Sequence, residues 1–248
     1  QFENDISIYT GSKHAIACIN GTSGLHIALK LAGVDYQDEV LIPALTFVAT
    51  ANSVCYCGAT PHFIDIEDNT LGIDCNKLQN YLKSETELIS NKCINRKTNK
   101  IIRAIVPVHT FGHPSNLEEI TKICKEFKLE LIEDAAEALG SSVNGKKSGS
   151  IADSATFSFT GNKVLTTGEG GAVVTNSEKI FEKLKLIRSH GRVDKMNYFD
   201  NPLDPNYVEI GYNWRMSSIT AAIGISQLEK IEKIISLRRK NANSLDRK

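Results

Sequence analysis

The chain has 248 residues, of which 41% are hydrophobic and 23% are charged, and its 29 basic side chains balance its 29 acidic ones. A chain of this size can bury enough apolar surface for one large domain or two modest ones. The neutral balance gives no electrostatic reason to expect a nucleic acid or a membrane surface as a partner. No apolar run approaches the ~20 residues that span a bilayer. We therefore expect neither a nucleic-acid-binding nor a membrane-spanning protein.

The six cysteines are scattered along the chain, with no C-x-x-C pair and no Cys/His cluster at zinc spacing. The first residues, Gln1 to Asp5, lack the basic and apolar regions of a signal peptide. We therefore expect reduced thiols, no metal site and a cytoplasmic location.

Strand-like and helix-like segments alternate along the chain, which is typical of a mostly parallel sheet covered by helices. Helical spacing of apolar residues and short β-branched runs mark the two kinds of segment. In chain order, we predict a helix over 22–32, a strand over 39–43, a helix over 47–57, strands over 60–66 and 101–109, a helix over 116–128 capped by Ser115 or Asn116, strands over 130–134, 155–159 and 171–175, and helices over 178–190 and 217–231.

The polar, basic stretch over 91–100 is most simply a solvated loop or hairpin. The predicted fold class is α/β, with a mostly parallel sheet sandwiched by helices. In such sheets, ligands gather at the carboxyl ends of the strands. Asp134, His109 and the pair Thr46 and Phe47 all lie at the carboxyl ends of predicted strands, so we expect them at one edge of the sheet. His109 receives no role beyond lining a pocket.

The segment Asn20-Gly-Thr-Ser-Gly24 opens the first long helix. A helix N-terminus presents free N–H groups and the positive end of a dipole, and Thr22 and Ser23 add hydroxyl donors, so a phosphate would fit there. An ordinary N-cap explains the same residues, and capping statistics favour it when the segment is taken alone.

The two residues Asp134 and Glu137 form an acidic group after a predicted strand. A carboxylate at the end of an apolar strand is costly unless it is paired, although capping of the next turn also explains Asp134. Glu137 falls on the same side if the segment turns helically. Phe47, at the start of a helix, either lies flat on a cofactor ring or belongs to the core.

A single lysine, Lys163, stands on a turn between Ser158 and the glycine-rich stretch Thr166-Thr-Gly-Glu-Gly-Gly171. Most lysines are solvated surface residues. A lysine in a packed site, however, can lose its proton and attack a carbonyl. Lys163 as a Schiff-base amine and Asp134 as the partner of a pyridinium nitrogen are the two protein groups that pyridoxal phosphate needs. The sequence therefore predicts a pyridoxal-phosphate enzyme.

Taken in order, these residues resemble the DegT/DnrJ-type nucleotide-sugar aminotransferases, which are fold-type I pyridoxal-phosphate enzymes. The motifs that carry the resemblance are Gly21-Thr-Ser23, Pro43-Ala-Leu-Thr-Phe-Val-Ala-Thr-Ala-Asn52, Val108-His-Thr-Phe-Gly112, Glu133-Asp-Ala-Ala136, Phe157-Ser-Phe-Thr-Gly-Asn-Lys163, Thr166-Thr-Gly-Glu-Gly-Gly171 and Gly211-Tyr-Asn-Trp-Arg-Met216.

The resemblance implies a role for each matching residue. Lys163 would join the cofactor covalently and move the substrate proton, and Asp134 would pair with the pyridinium nitrogen. The remaining cofactor-binding roles fall to Thr22, Ser23 and Ser158 at the phosphate, Phe47 on the ring, Glu137 near the phenolic oxygen and Asn213 at the phosphate of a neighbouring subunit.

The implied reaction moves an amino group from glutamate to a keto carbon, C4 in this interpretation, of a nucleotide-linked sugar. The stretch from Cys93 to Ile102 and the phrase from His109 to Pro114 are most similar to the branch that acts on UDP-4-keto-6-deoxy-N-acetylhexosamines towards bacillosamine or legionaminic acid. That branch serves polysaccharide and lipopolysaccharide biosynthesis. A homodimer with shared active sites is also implied.

Two features depart from the family pattern. Many relatives carry Gln at the position of Glu137, so this carboxylate is expected to be protonated, rotated away or bridged by water. Relatives also extend beyond both ends of this sequence. Residues 1–235 would form the cofactor-binding large domain, and 236–248 would begin a linker helix to a small domain that is largely absent here, which would leave the chain a poor catalyst.

Two other functions compete with this prediction. A pyridoxamine-dependent sugar dehydratase on the same fold carries a histidine in place of the lysine, so Lys163 argues against it. A non-catalytic regulator that binds cofactor or sugar is the second alternative, although the chain shows no DNA-binding segment.

Overall fold

The computed structural model describes residues 1–193 and 207–245. The helices in these ranges are α1 (Phe2–Thr10), α2 (Gly21–Leu31), α3 (Val48–Tyr56), α4 (Cys75–Glu85), α5 (Leu117–Phe127), α6 (Glu178–Arg188), α7 (Ser218–Leu228) and α8 (Ile231–Leu245). The strands are β1 (His14–Cys18), β2 (Glu39–Pro43), β3 (Thr60–Ile64), β4 (Thr86–Ile89), β5 (Lys92–Asn95), β6 (Ile101–Ile105), β7 (Glu130–Asp134), β8 (Ser142–Val143), β9 (Lys146–Lys147), β10 (Ser154–Ser158) and β11 (Gly171–Thr175).

The central sheet has the strand order β1-β11-β10-β7-β6-β2-β3. Neighbouring strands from β10 to β3 run parallel, whereas β11 is antiparallel to both β10 and β1. This arrangement confirms the predicted α/β fold with a mostly parallel sheet. Because β1, β2, β7 and β10 all point the same way, the loops that follow them meet at one edge.

Side chains alternate between the two faces of the sheet, as strand geometry requires. Val40, Ile132 and Val173 lie in a core with residues of α2, α3 and α6. On the opposite face, Leu41 and Leu131 pack with residues of α4 and α5, while the strands nearer the β1 edge pack against α1 and α8. Helices therefore cover both faces.

The predicted strand over 101–109 is too long, because β6 ends at Ile105. Pro107 has no N–H for a ladder, and its carbonyl accepts from the Asp134 N–H at 2.9 Å. Val108 forms only an isolated bridge with Asp134. The strand predicted over 60–66 likewise ends at Ile64.

The structure settles two open alternatives from the sequence. The basic stretch is a hairpin, since β4 pairs with β5, and β5 continues the pairing onto β6 through Cys93 and Ile94. Asn116 rather than Ser115 caps α5, because its side chain accepts the N–H of Glu119 at 3.2 Å.

Six of these elements have no counterpart among the predicted segments, namely α1, β1, α4, β4, β8 and β9. The buried apolar residues of α1 are Phe2 and Ile6, a spacing of one per turn that leaves little periodicity to detect. In α4, the buried apolar residues are only Leu78 and Leu82.

The last helix, α8, runs without a break across the predicted domain boundary at residue 235, and that boundary stays a prediction. Residues 246–248 of the predicted linker lie outside the described residues. Among the helices described, none is both long enough and apolar enough to cross a bilayer. The cytoplasmic location stays a prediction.

Candidate active site

A cavity of about 540 Å³ opens at the carboxyl ends of the strands. Lys163 and Asp134 both line it, together with Thr22, Phe47, Glu137 and Ser158. The loops after β1, β2, β7 and β10 bring these residues together from distant parts of the sequence. The predicted convergence at the strand ends is therefore present in the structure.

The acid of the site, Asp134, ends β7 and is only 5% exposed. Its Oδ2 accepts a hydrogen bond from the Thr50 hydroxyl at 2.7 Å, and its Oδ1 accepts the N–H of Ala136 at 3.2 Å. Burial raises the pKa of Asp134 above its ordinary value, while these hydrogen bonds and the charge of Lys163 oppose the rise.

A second acid, Glu133, points to the other side of β7 and is completely buried. It accepts hydrogen bonds from His109 Nε2 at 3.0 Å and from the N–H groups of Gly149, Ile151 and Ala152 at 2.7, 3.2 and 2.9 Å. Burial alone would raise the pKa of Glu133. The hydrogen bonds have the larger effect and hold this pKa below its ordinary value.

His109 connects this buried acid to the cavity wall. Its Nδ1 accepts the N–H of Ser115 at 3.1 Å, so the ring hydrogen lies on Nε2 and is donated to Glu133. Its backbone N–H donates to the carbonyl of Asp134 at 3.1 Å. His109 lines the cavity, as predicted, and it also helps to hold the end of β7 in place.

The amine of the site, Lys163, lies on the loop between β10 and β11, with its side chain 16% exposed. Its Nζ is 2.9 Å from Glu137 Oε1, and Glu137 Oε2 accepts the N–H of Phe111 at 2.9 Å. The structure thus assigns Glu137 an arrangement that the sequence did not suggest, because its carboxylate is the counter-ion of the lysine.

The opposite end of the cavity is built around the N-terminus of α2. Asn20 caps the helix by accepting the Ser23 N–H at 2.8 Å, so the N-cap interpretation is correct. The same helix end lines the cavity through Gly21 and Thr22, next to Ser158. A Cβ on Gly21 would lie 2.9 Å from the Cβ of Ser158, so only glycine allows this close approach.

Of three other predicted site residues, Ser23 and Asn213 lie away from the cavity wall and Phe47 lines it. Ser23 is not among the described residues that line the cavity, and its N–H is occupied by Asn20. Asn213 also lies away from the cavity wall, exposed on a segment that bridges Ser189. Phe47 lines the cavity with 76% of its surface exposed, so it does not belong to the core of the single chain.

Sequence reasoning assigned no role to two residues of this site. Thr50 bonds to Asp134, and a signal for it existed in the helical spacing of Thr46 and Thr50 after a strand. Phe111 lines the cavity with 73% of its surface exposed and with a φ of 53°, a left-handed conformation that no sequence pattern indicated.

An amine and a buried acid thus face one cavity, with a helix N-terminus at its other end, on a mostly parallel α/β sheet. These are the protein groups that pyridoxal phosphate needs. The chain belongs to the DegT/DnrJ/EryC1/StrS aminotransferase family, whose sequence pattern matches residues 1–248. The resemblance drawn from the sequence is confirmed, and the aminotransferases of this family depend on pyridoxal phosphate.

Individual relatives are similar over nearly the whole chain. A GDP-perosamine synthase of Caulobacter vibrioides is 41% identical over 238 residues, which are 96% of this chain and 58% of the relative. A UDP-4-amino-4,6-dideoxy-N-acetyl-beta-L-altrosamine transaminase of Campylobacter jejuni is 40% identical over 232 residues, or 94% of this chain and 56% of the relative.

Among solved structures, Helicobacter pylori PseC, an aminotransferase involved in the biosynthesis of pseudoaminic acid, matches with a TM-score of 0.84 and 34% identity. The match covers 99% of this chain and 61% of PseC. The chain therefore spans less than two thirds of the length of these relatives.

Proposed function

We propose that the protein containing this chain is a pyridoxal-phosphate-dependent aminotransferase that aminates a nucleotide-linked keto sugar. The observation that carries the proposal is that Lys163 and Asp134 face the same cavity. Family membership supports the reaction class. The nucleotide-sugar activities for which the two relatives are named support the sugar substrate.

The residues present fit the cofactor at three points. The close approach of Gly21 to Ser158 forms a cradle at a helix N-terminus, where a phosphate is favoured. Asp134 is held by two donors, which suits an acid that has to remain charged. The Thr110 hydroxyl is buried at the cavity wall without a partner among the described residues, so a bound molecule has a polar group to contact.

Bound pyridoxal phosphate supplies an electron sink for the carbon from which a proton is removed. The α2 N-terminus, Thr22 and Ser158 would hold its phosphate, and Phe47 would cover one face of its ring. Asp134 would keep the proton on the ring nitrogen. Lys163 would bind the cofactor covalently and then carry the substrate proton at its Nζ.

Glu137 would orient Lys163 for these steps. Its carboxylate contacts Nζ while the Phe111 N–H fixes its other oxygen, so the lysine is drawn towards one wall of the cavity. The sequence-based roles of Ser23 at the phosphate and of Glu137 near the phenolic oxygen stay predictions.

For the substrates, we propose glutamate as the amino donor and C4 of a keto-deoxy sugar as the acceptor. The name of the Campylobacter jejuni relative includes a 4-amino-4,6-dideoxy sugar linked to UDP, whereas the Caulobacter vibrioides relative is a GDP-sugar enzyme. Their identities of 40% and 41% do not separate the two nucleotides. The UDP branch that leads towards bacillosamine or legionaminic acid stays a prediction.

The substrate is tested with the full-length protein, ¹⁵N-glutamate and either UDP- or GDP-linked 4-keto-6-deoxy sugars. We expect ¹⁵N in the product of one series, at C4 by NMR, and no product with Lys163→Ala. Failure to label either sugar, in a protein that binds pyridoxal phosphate and reacts with glutamate, would contradict the sugar substrate but not the aminotransferase class.

We also propose a homodimer with shared sites, in which Asn213 reaches the partner's phosphate group. The exposed Phe47, and the exposed Asn213 away from its own cavity, support it. Mixing inactive Lys163→Ala with inactive Asn213→Ala should restore activity, because one of the two sites in a mixed dimer would have both residues. No restoration after subunit exchange would contradict shared sites.

The non-catalytic alternative predicts binding without turnover. An aminotransferase that binds pyridoxal phosphate should show a visible absorbance band that shifts when glutamate is added. A band that does not respond to glutamate would favour the regulator. The dehydratase alternative remains disfavoured by Lys163.

A further inference from the structure

Two hydroxyl groups form a hydrogen-bonded chain that ends at Asp134. Thr50 on α3 contacts the acid, and Thr46, which precedes α3, contacts Thr50. Thr50 Oγ1 lies 2.7 Å from Asp134 Oδ2, and Thr46 Oγ1 lies 2.7 Å from Thr50 Oγ1. Thr50 is 1% exposed, so water does not replace these contacts. Neither threonine has a role in the proposed function.

The charge of Asp134 determines the direction of this chain. An ionised carboxylate only accepts hydrogen bonds, so Thr50 gives its single hydrogen to Asp134. Thr50 then accepts from Thr46, which leaves both hydroxyl groups donating towards the acid. An Asp134 protonated at Oδ1 would still accept from Thr50 at Oδ2, but that hydrogen bond would lose its charge assistance and weaken.

The hydroxyl of Thr50 also works against the effect of burial. Burial raises the pKa of Asp134, and the Thr50 hydrogen bond is the largest opposing influence, ahead of the Ala136 N–H and the charge of Lys163. Hydrogen bonds to a charged group are stronger than those between neutral groups. Loss of the Thr50 hydroxyl would therefore leave a buried acid with one hydrogen-bond donor.

We infer that Thr50 is a positioning residue that keeps the Asp134 carboxylate ionised and aimed into the cavity, and that Thr46 acts through Thr50. The contribution of Thr50 to catalysis rests on the proposed function, because only a charged Asp134 holds a proton on a pyridine nitrogen. Its effect on Asp134 itself does not depend on any cofactor.

The placement of Thr50 also connects the acid with the ring-covering aromatic residue. Phe47 is the N-cap of α3, and its carbonyl accepts the Thr50 N–H at 3.1 Å. The same helical turn therefore sets the position of the Phe47 ring and of the hydroxyl group on Asp134.

The inference is tested on cofactor-free full-length protein labelled with ¹³C-aspartate, in which the Asp134 carboxyl signal is assigned with Asp134→Asn. Thr50→Val removes the hydroxyl group with little change in shape, and Thr50→Ser retains it. Thr156→Val is the matched control, because Thr156 is buried and pairs in register with Asp134 on β10, but its hydroxyl has no partner among the described residues.

Thr50→Val should raise the midpoint of the Asp134 titration by about one to two pH units, the equivalent of one charge-assisted hydrogen bond. Thr50→Ser and Thr156→Val should leave the midpoint near its original value. If Thr50→Val does not fold, the partly exposed Thr46→Val carries the test, with a smaller upward shift. An unchanged midpoint in the folded variant overturns the inference.

A second measurement follows the ring nitrogen of bound ¹⁵N-pyridoxal phosphate by NMR. At neutral pH, its signal should move towards the unprotonated position in Thr50→Val but not in Thr156→Val. A wild-type protein that binds no pyridoxal phosphate would refute the proposed function, while the Asp134 titration would still decide the role of Thr50. A ring signal unchanged in Thr50→Val overturns the inference alone.

Discussion

The buried carboxylate of Glu133 offers the sharpest prediction about stability. It is completely buried and accepts four hydrogen bonds, one from His109 and three from the loop before β10. Glu133→Gln preserves the shape of the side chain and one acceptor oxygen. The new amide group, however, faces His109 Nε2 and the Gly149 N–H, which are both donors. Two buried donors therefore lose their acceptor.

The magnitude follows from those two donors. Each buried donor left unsatisfied costs about 1–3 kcal/mol. We expect Glu133→Gln, which leaves two such donors, to lower the free energy of unfolding by about 3 kcal/mol at neutral pH. This loss is a large share of the about 5–15 kcal/mol that stabilises a typical domain.

The effect should depend on pH in a defined direction. Hydrogen bonding holds the pKa of Glu133 below its ordinary value in the folded protein. Its stabilising effect is therefore complete above the unfolded carboxyl pKa of about 4.3 and is lost as pH falls through the lower folded value. The difference between wild type and Glu133→Gln should shrink in acid.

Urea unfolding at several pH values measures this difference, read as a lower midpoint at unchanged slope. Glu130→Gln is the matched control on the same strand. Burial and the Asp153 charge raise the pKa of Glu130, so its charge is unfavourable, and neutralising it should not destabilise the fold at neutral pH. Equal unfolding midpoints for wild type and Glu133→Gln would refute the account of the buried pair.

Three further predictions concern the cavity. Gly21→Ala places a Cβ 2.9 Å from the Ser158 Cβ, so the α2 N-terminus and Ser158 must move apart. Binding of pyridoxal phosphate, measured by fluorescence titration, should weaken about tenfold. Unchanged affinity would argue against the phosphate cradle. Asn20→Ala removes the cap of α2 and should cost about 1 kcal/mol in urea unfolding, whereas a neutral effect would mean that water replaces the cap. Glu137→Gln retains an acceptor for the Phe111 N–H but removes the carboxylate that orients the Lys163 amine. Covalent loading of the cofactor, followed by absorbance at neutral pH, should therefore slow, and an unchanged loading rate would contradict the orienting role.

Much of the sheet follows from local sequence. The strands over 39–43, 130–134 and 171–175 have the predicted bounds. β2 and β11 are short, largely apolar runs that are buried along their whole length, whereas β7 has only Leu131 and Ile132 as its apolar centre. The apolar stripe of α5 likewise predicts its buried face. Elements with weak hydrophobic periodicity, such as α1, depend on tertiary packing, so the local sequence does not predict them.

The site was predictable where the backbone alone positions a residue. Asp134 ends a strand and Lys163 follows another, so parallel topology brings both to one edge. The contact between Thr50 and Asp134, in contrast, joins residues 84 positions apart, so the helical spacing of Thr46 and Thr50 indicates the two threonines but not the acid that Thr50 contacts. The pairing of Glu137 with Lys163 depends on the Phe111 N–H, which holds the other carboxylate oxygen. Phe111 has a left-handed backbone conformation that no sequence pattern indicates.

The covalent role of Lys163 is tested most directly by incubating the full-length protein with pyridoxal phosphate, reducing it with borohydride and mapping the modified peptide by mass spectrometry. The account predicts one stably labelled residue, Lys163, and loss of this label when glutamate is added before reduction. Labelling of other lysines alone, or a label on Lys163 that glutamate does not diminish, would contradict it.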